Sequence, residues 1–204
     1  MIPATPSVLA CLWYPVYSSL TISGYPASIP YASTATVSLG YHRSGFSHPL
    51  DGSGFVVAPI EKRRITACTW VSSKWPSHST PDRVLLRCFL GRAGDEDLLH
   101  WGDAELCRLA QDEVKSILDV SAEPVLKRVC RCDRSFPQYV LGHVEKLGAL
   151  DEGMSSLPGL FLTGAAFRGV GLPDCIKQAV LAAKNALDFV TMVTTGTSRR
   201  TAPG

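Results

Sequence analysis

Long apolar runs, paired cysteine motifs and a strong net charge are all missing from this 204-residue sequence. No stretch reaches the roughly 18 apolar residues that a membrane-spanning helix needs. The apolar start, residues 1–20, lacks a basic segment and is interrupted by three prolines, so we do not interpret it as a signal peptide. The net charge is only +2, which does not indicate a polyanionic partner such as nucleic acid.

The seven cysteines do not form a recognisable metal site or disulfide framework. They stand at positions 11, 68, 88, 107, 130, 132 and 175. No C-x-x-C pair occurs, and no further ligand lies near Cys130 and Cys132, which a strand would place on one face. The sequence therefore predicts reduced, buried thiols, no metal, and a cytoplasmic protein for which peripheral membrane association stays open.

Hydrophobic periodicity predicts an α/β (α+β) protein with a mixed sheet. Strands are predicted at 35–41, 84–90, 125–129 and 160–162, and a hairpin pairs 55–57 with 65–71. Helical spacing predicts one helix after an N-cap at Asp103, a short helix at 143–150 and a long helix from Pro173. The long helix has an apolar stripe formed by Ile176, Ala179, Val180, Ala183, Leu187 and Val190. Residues 1–28 are predicted to be irregular, and the Thr- and Ser-rich end, 191–204, is predicted to be a disordered tail.

Residues 160–176 have the order strand, glycine, short loop, two glycines and helix. A glycine at 164 lets a cofactor approach the backbone closely, because it has no side chain. Gly169 and Gly171 are expected to keep the next turn free of side chains, so that N–H groups at the helix start form an anion site. A purely structural glycine turn remains an alternative, because such turns are common.

Three ionisable side chains near these motifs invite a catalytic interpretation. His48 precedes a proline and His143 stands at a predicted helix start, and we favour structural roles over general-base roles for both. Asp174 falls in the first turn of the long helix, where a carboxylate ordinarily stabilises the helix dipole. The residues alone therefore predict no catalytic acid or base.

The run Arg-Gly-Val-Gly-Leu-Pro-Asp-Cys at 168–175 resembles the C-terminal FAD motif of the amine-oxidase-like flavoproteins. Its wording is most similar to one branch, the protoporphyrinogen and coproporphyrinogen oxidases. Stretches 29–39, 48–57 and 136–143 also resemble that branch, in its order and with its spacing. The resemblance extends from about 29 to 187 and covers most of the chain.

This resemblance implies an FAD-dependent enzyme of haem biosynthesis that uses molecular oxygen to oxidise coproporphyrinogen III or protoporphyrinogen IX to the porphyrin. The cofactor carries the chemistry, so no catalytic side chain is required. The residues implied to bind FAD are Gly164, Gly169, Val170, Gly171 and Leu172.

The resemblance also implies a substrate pocket and a division into domains. Val56 and Phe89 are implied to line a flat apolar pocket, with Pro137 and Gln138 as second-line contacts to the flavin. Residues 1–131 correspond to part of a substrate-binding domain, and 132–190 to the C-terminal part of an FAD-binding domain.

Several departures from the family predict that this chain is a fragment. The Gly-x-Gly-x-x-Gly loop that binds pyrophosphate is absent, while Cys132 and Ser53 replace aromatic residues near flavin and substrate. We therefore expect weak FAD binding, exposed apolar faces and little activity by the chain alone. The expected partners are the missing N-terminal half or other haem-pathway enzymes. The alternatives are another flavoprotein of the amine-oxidase superfamily and a non-catalytic degenerate fragment or interaction module.

Overall fold

The computed structural model describes Gly24 and residues 28–198. The chain forms two compact units, one made of Ala32–Ser135 and the other of the described residues up to Tyr31 and from Phe136 onward. The boundary between 135 and 136 lies four residues beyond the one predicted between 131 and 132, and the described residues up to Tyr31 belong to the other unit, whereas 1–131 was predicted to be one domain. Most of the predicted irregular start, and residues 199–204 of the predicted tail, lie outside the described residues.

The first unit is built on a five-stranded sheet. Its strands are β1 (Tyr31–His42), β2 (Gly54–Val56), β3 (Ile65–Trp70), β4 (Arg83–Leu90) and β5 (Leu126–Pro137). They lie in the order β2-β3-β4-β1-β5. The pairs β1–β4, β2–β3 and β3–β4 are antiparallel, and the sheet with its helices has the predicted α/β (α+β) class.

The predicted hairpin is present between β2 and β3. Phe55 lies opposite Cys68, and Val56 lies opposite Ala67. Lys62 takes up a left-handed backbone conformation in the connection, with φ +49°, after a 3-10 turn at Pro59–Glu61. This turn lies between the two apolar runs of the hairpin.

The helices are α1 (Val71–Lys74), α2 (Asp103–Leu118), α3 (His143–Ser155) and α4 (Leu172–Ser198). Short 3-10 helices occupy Arg43–Gly45, Pro59–Glu61, Pro76–His78 and Asp97–His100. No helix among the described residues combines the length and the apolar character that crossing a membrane requires.

The core of the sheet unit lies between one face of the sheet and α2. Alternate strand residues point into it, including Val37, Leu39, Leu86, Cys88 and Leu90. From α2, Leu106, Ala110, Val114 and Leu118 are buried, which is the spacing of one helical face. Each fully buried leucine contributes about 2 kcal/mol by leaving water, so this face fixes which side of the sheet faces α2.

Three predicted elements differ from the structure. The N-cap of α2 is Gly102 and not Asp103, because the Glu105 carboxylate accepts the Gly102 N–H at 2.9 Å. Residues 160–162 form no strand, since no strand among the described residues pairs with them. Helix α4 continues through 191–198, where a disordered tail is predicted. The Thr191 and Thr194 hydroxyls donate to carbonyls one turn back, both at 2.9 Å.

Candidate functional site

The glycine-rich segment forms an irregular loop that leads into α4. Gly164 and Gly169 have φ values of +133° and +127°, which side-chain-bearing residues rarely adopt. A Cβ atom at Gly164 would meet nothing within 4 Å. The backbone at this position therefore has open space beside it.

The hydroxyl of Tyr139 joins the two ends of this loop. It donates a hydrogen bond to the Ala165 carbonyl at 2.5 Å and accepts one from the Gly169 N–H at 2.8 Å. Both donor and acceptor capacities of the phenol are used on the backbone of the loop. Sequence reasoning included Tyr139 in a family-like stretch but assigned it no role.

The imidazole ring of His143 packs against the ring of Tyr139. The two rings stack with centroids 3.9 Å apart and an angle of 12° between their planes. The Nε2 atom of His143 lies 2.9 Å from the Phe167 carbonyl, which can only accept, so Nε2 donates. His143 is only 7% exposed, which favours the structural role predicted for it. The Nδ1 atom of His48 accepts the Leu50 N–H at 3.0 Å, which favours the turn role predicted for that residue.

The two later glycines are required for packing. A Cβ atom at Gly169 would lie 2.6 Å from Cβ of Asp174, and one at Gly171 would lie 3.1 Å from its carboxylate oxygen Oδ2. The Asp174 side chain therefore occupies the space beside Gly169 and Gly171, which was predicted to be free of side chains. Gly169 and Gly171 make room for Asp174, whereas Gly164 leaves space open.

An ion pair connects the loop to α3. One guanidinium nitrogen of Arg168, Nη2, lies 2.6 and 2.5 Å from the two carboxylate oxygens of Asp151. Both side chains are about half exposed, so this pair contributes less than about 1 kcal/mol. Its main effect is to orient the loop against α3.

Two of the remaining predicted flavin contacts, Val170 and Leu172, are accessible, whereas the predicted second-line contact Pro137 is not. Val170 is 57% exposed and Leu172 is 79% exposed. Pro137 is buried, and the Gln138 side chain donates to the Phe136 carbonyl at 3.0 Å. The loop residues 164–172 thus present an open backbone position and two exposed apolar side chains. Among the described residues there is no group of three potential metal ligands.

The predicted substrate residues lie on the sheet. Val56 of β2 lies opposite Ala67 of β3, which lies opposite Phe89 of β4. The three side chains therefore form one row on the sheet face that turns away from α2. Val56 is 83% exposed and Phe89 is half-buried, so this row is an open apolar surface and not an enclosed pocket.

The two positions that depart from the family behave differently. Ser53 is exposed beside β2, and its carbonyl accepts the Trp70 N–H at 3.0 Å. Cys132 is half-buried, and burial followed by the neighbouring Cys130 raises the pKa of its thiol. This neighbour relationship agrees with the predicted placement of both cysteines on one face of a strand.

A hollow of about 410 Å³ lies elsewhere on the sheet unit, at the connection after β2. Its lining includes Arg63, Arg64 and Arg92. These cations are already engaged: Arg63 with Glu113, Arg92 with Asp95, and Arg64 over the Trp101 ring. The hollow shares no residue with the predicted pocket.

No protein-family model matches the sequence. The chain is 36% identical over 159 residues to coproporphyrinogen III oxidase of Bacillus subtilis, which covers 78% of this chain and 34% of that protein. It is 35% identical over 156 residues to the enzyme of the same name from Staphylococcus aureus, covering 76% of this chain and 34% of that protein. A chloroplastic protoporphyrinogen oxidase of Nicotiana tabacum is 27% identical over 123 residues, 58% of this chain and 22% of that protein.

Solved structures resemble the fold over most of the chain. A crystal structure named "Putative protoporphyrinogen oxidase", from an Exiguobacterium species, matches 94% of this chain and 40% of that chain with a TM-score of 0.70 and 30% identity. Reduced UDP-galactopyranose mutase matches 65% of this chain and 28% of that chain with a TM-score of 0.52 and 14% identity, a likeness of fold alone. The chain spans about a third of the length of the curated relatives named above that are over 30% identical to it.

Proposed function

This chain is a homologue of the coproporphyrinogen III oxidases, as its sequence motifs predict, and we propose that it supplies part of an FAD-dependent porphyrinogen oxidase. In this proposal the sheet face that turns away from α2, the open face, binds coproporphyrinogen III or protoporphyrinogen IX. The loop at 164–172 contacts the flavin, and molecular oxygen is the final acceptor. The observation that carries the proposal is the loop, because its backbone is open at Gly164 and held by Tyr139 on both sides.

The residues present fit a flavin at this loop. Gly164 leaves open space, which a side chain would fill, and Val170 and Leu172 offer apolar surface to a flat ring system. Tyr139 fixes the Ala165 carbonyl and the Gly169 N–H before any ligand arrives, so little ordering is required on binding. Bound FAD would supply the hydride acceptor for the meso carbon of the substrate.

The described residues contribute binding and orientation in this reaction. Val56 and Phe89 provide an apolar surface suited to a macrocycle. Ala67 lies between them, and its small side chain leaves this surface flat. The histidines that sequence reasoning considered as bases are engaged with backbone groups. No side-chain acid or base is therefore assigned to the proton loss.

The apolar stripe of α4 supports the proposal that the chain works together with further polypeptide. Ile176, Val180 and Leu187 are 63%, 65% and 66% exposed. Exposed apolar surface of this extent on one helix marks an interaction site. We propose that it packs against the remainder of the flavoprotein fold, because the matched crystal structure is more than twice as long as this chain.

The same stripe supports a second candidate, in which the chain is a non-catalytic module that binds a complete oxidase. Both candidates require an apolar partner for α4. They differ in whether FAD and substrate meet residues of this chain, so substitutions at Gly164 and Phe89 separate them.

The test is a flavin absorbance spectrum of the purified chain with and without FAD, followed by addition of coproporphyrinogen III in air. We expect weak flavin binding by the chain alone. Porphyrin fluorescence should grow only when the chain is combined with the rest of the Bacillus subtilis relative, and Gly164→Val should abolish that growth. Gly148→Ala is the control, since a Cβ atom there meets nothing within 4 Å. Stoichiometric FAD in the chain alone would refute the dependence on further polypeptide. Unchanged porphyrin formation by Gly164→Val would refute the role of the loop.

A further inference from the structure

The sheet face that turns away from α2 has a chemical pattern that the flavin loop and the apolar row do not explain. Along β4, Leu85, Arg87 and Phe89 alternate with the buried Leu86, Cys88 and Leu90. Arg87 therefore lies on the same face as Phe89, about 7 Å away along the strand. Its neighbours in register are Thr69 of β3 and Ser38 of β1, which are both uncharged.

A second arginine lies on this face, on the other side of β1. A Cβ atom at Gly40 would lie 3.1 Å from Cβ of Leu126, so Leu126 is on the open face beside Gly40. Arg128 is two residues further along β5 and therefore lies on the same face as Leu126. The next residue, Val129, packs against the core on the opposite face. Arg87 and Arg128 therefore flank Ser38, with their backbones about 10 Å apart across two strand spacings.

Neither arginine has an ion pair or a hydrogen bond among the described residues, and both are exposed. The open-face positions of the strands carry no carboxylate either, and a further arginine on this face, Arg83 of β4, is already paired with Asp82. Arginines on the opposite side of the unit are paired, as Arg63 is with Glu113 and Arg131 is with Asp103. Two unpaired guanidinium groups beside apolar surface match an apolar ligand with carboxylates at its edge.

We propose that Arg87 and Arg128 bind propionate carboxylates of a porphyrinogen that lies on the row Val56, Ala67 and Phe89. This inference rests on the proposed function and extends it to the residues that bind the carboxylates of the substrate. Coproporphyrinogen III carries four propionates, whereas protoporphyrinogen IX carries two and has vinyl groups in place of the others. Either porphyrinogen can therefore place one propionate on each arginine, so the two arginines act as carboxylate-binding residues beside the macrocycle surface.

The probes are coproporphyrin III, its uncharged tetramethyl ester and protoporphyrin IX, each titrated into the full 204-residue chain by porphyrin fluorescence anisotropy. We expect coproporphyrin III and protoporphyrin IX both to bind more tightly than the tetramethyl ester, since each carries at least two carboxylates. Arg87→Gln and Arg128→Gln should each weaken coproporphyrin III about tenfold and leave the tetramethyl ester unchanged, because each removes one charge-assisted contact. Arg108→Gln on α2 is the matched control, since it removes the same charge from an exposed position outside this face.

Selective loss of coproporphyrin III in both variants, with none in Arg108→Gln, would confirm the proposal. If the wild-type chain binds porphyrins but Arg87→Gln and Arg128→Gln bind coproporphyrin III like wild type, the assignment of the arginines is overturned while the proposed function stands. An equal loss in Arg108→Gln would attribute the effect to net charge and also overturn it. If no porphyrin binds the wild-type chain, both the arginine assignment and the role of the sheet face in the proposed function are rejected.

Discussion

The phenolic oxygen of Tyr139 lies 2.8 Å from the backbone nitrogen of Gly169, thirty residues further along the chain. The same oxygen donates to the Ala165 carbonyl, so one side chain spans the glycine loop. The stack on His143 restrains the ring, and His143 is itself bound to the Phe167 carbonyl. Tyr139 and His143 thus fix the loop at three backbone groups.

Replacing Tyr139 with phenylalanine should loosen the loop without disturbing the stack. The phenyl ring can still pack on His143, but the Gly169 N–H and the Ala165 carbonyl lose their partner. We expect the free energy of unfolding to fall by about 1 kcal/mol, because the site is partly exposed and water replaces part of the loss. Urea denaturation followed by circular dichroism measures this change.

Tyr31→Phe provides the control for this prediction. It removes a phenol from the same unit, and no hydrogen bond of the Tyr31 hydroxyl is present among the described residues. We expect less than about 0.5 kcal/mol of change there. Equal losses in both variants would mean that the bridge to Gly169 contributes nothing specific.

Gly169→Ala should be among the most damaging single changes in the loop. The new Cβ atom would lie 2.6 Å from Cβ of Asp174, and the backbone would keep a φ of +127° that alanine rarely adopts. Strain and overlap together should cost about 2 kcal/mol or more of unfolding free energy. Thermal unfolding of the purified variant measures the loss.

Gly148→Ala provides the control for this prediction. Gly148 lies within α3, where alanine meets nothing within 4 Å and removes conformational freedom from the unfolded chain. Gly148→Ala should raise the unfolding free energy by up to about 1 kcal/mol. A Gly169→Ala variant as stable as wild type would show that the Asp174 side chain can move away at no cost.

Periodicity predicted the sheet unit well because its strands obey a simple alternation. Val37, Leu39 and Leu86, Cys88 fall on one face of β1 and β4, and burial on α2 enforces that face. The segment 160–162 misled the same reasoning, because a short apolar run becomes a strand only beside a partner. The end of α4 was missed since Thr191 and Thr194 lower helix propensity on average, while their hydroxyls here bond within the helix.

The glycine loop could be located from the sequence, but the reason for each glycine could not. Gly164 and Gly169 look alike in the sequence, yet one faces open space and the other accommodates Asp174. The bridge from Tyr139 was equally hidden, because its partners are backbone groups 26 and 30 residues away, which leave no pattern in residue types.

A charge placed in the α4 stripe should leave the chain folded and change its association. Val180 is 65% exposed, so Val180→Glu removes little buried surface and should alter the unfolding free energy by less than about 0.5 kcal/mol. Self-association measured by analytical ultracentrifugation should decrease, because a carboxylate interrupts the exposed apolar surface. Glu145→Gln on α3 is the control, because it also changes the net charge by one unit but lies outside the stripe. If Val180→Glu unfolds the chain, the stripe is packed within the chain and not available to a partner.

Alkaline pH should destabilise the sheet unit through two buried acids. Burial raises the pKa of Tyr41 above its ordinary value of 10.0, and a hydrogen bond with Cys68, followed by burial, raises the pKa of Cys88 above 9.0. In the unfolded chain these groups release protons at their ordinary pKa values, while the folded chain retains them. Because the unfolded state then binds fewer protons, the free energy of unfolding falls as pH rises.

The pH window follows from the same values. Stability from these groups is fully present below about pH 9 and is lost progressively above it, first through Cys88 and then, above about pH 10, through Tyr41. Urea midpoints of wild type at about pH 8 and about pH 10.5 should therefore differ, and Tyr41→Phe should reduce the difference because phenylalanine has no proton to lose. Tyr139→Phe, which alters a partly exposed phenol in the other unit, should keep the wild-type difference. A Tyr41→Phe variant that loses as much stability as wild type between these pH values would place the titrating groups elsewhere.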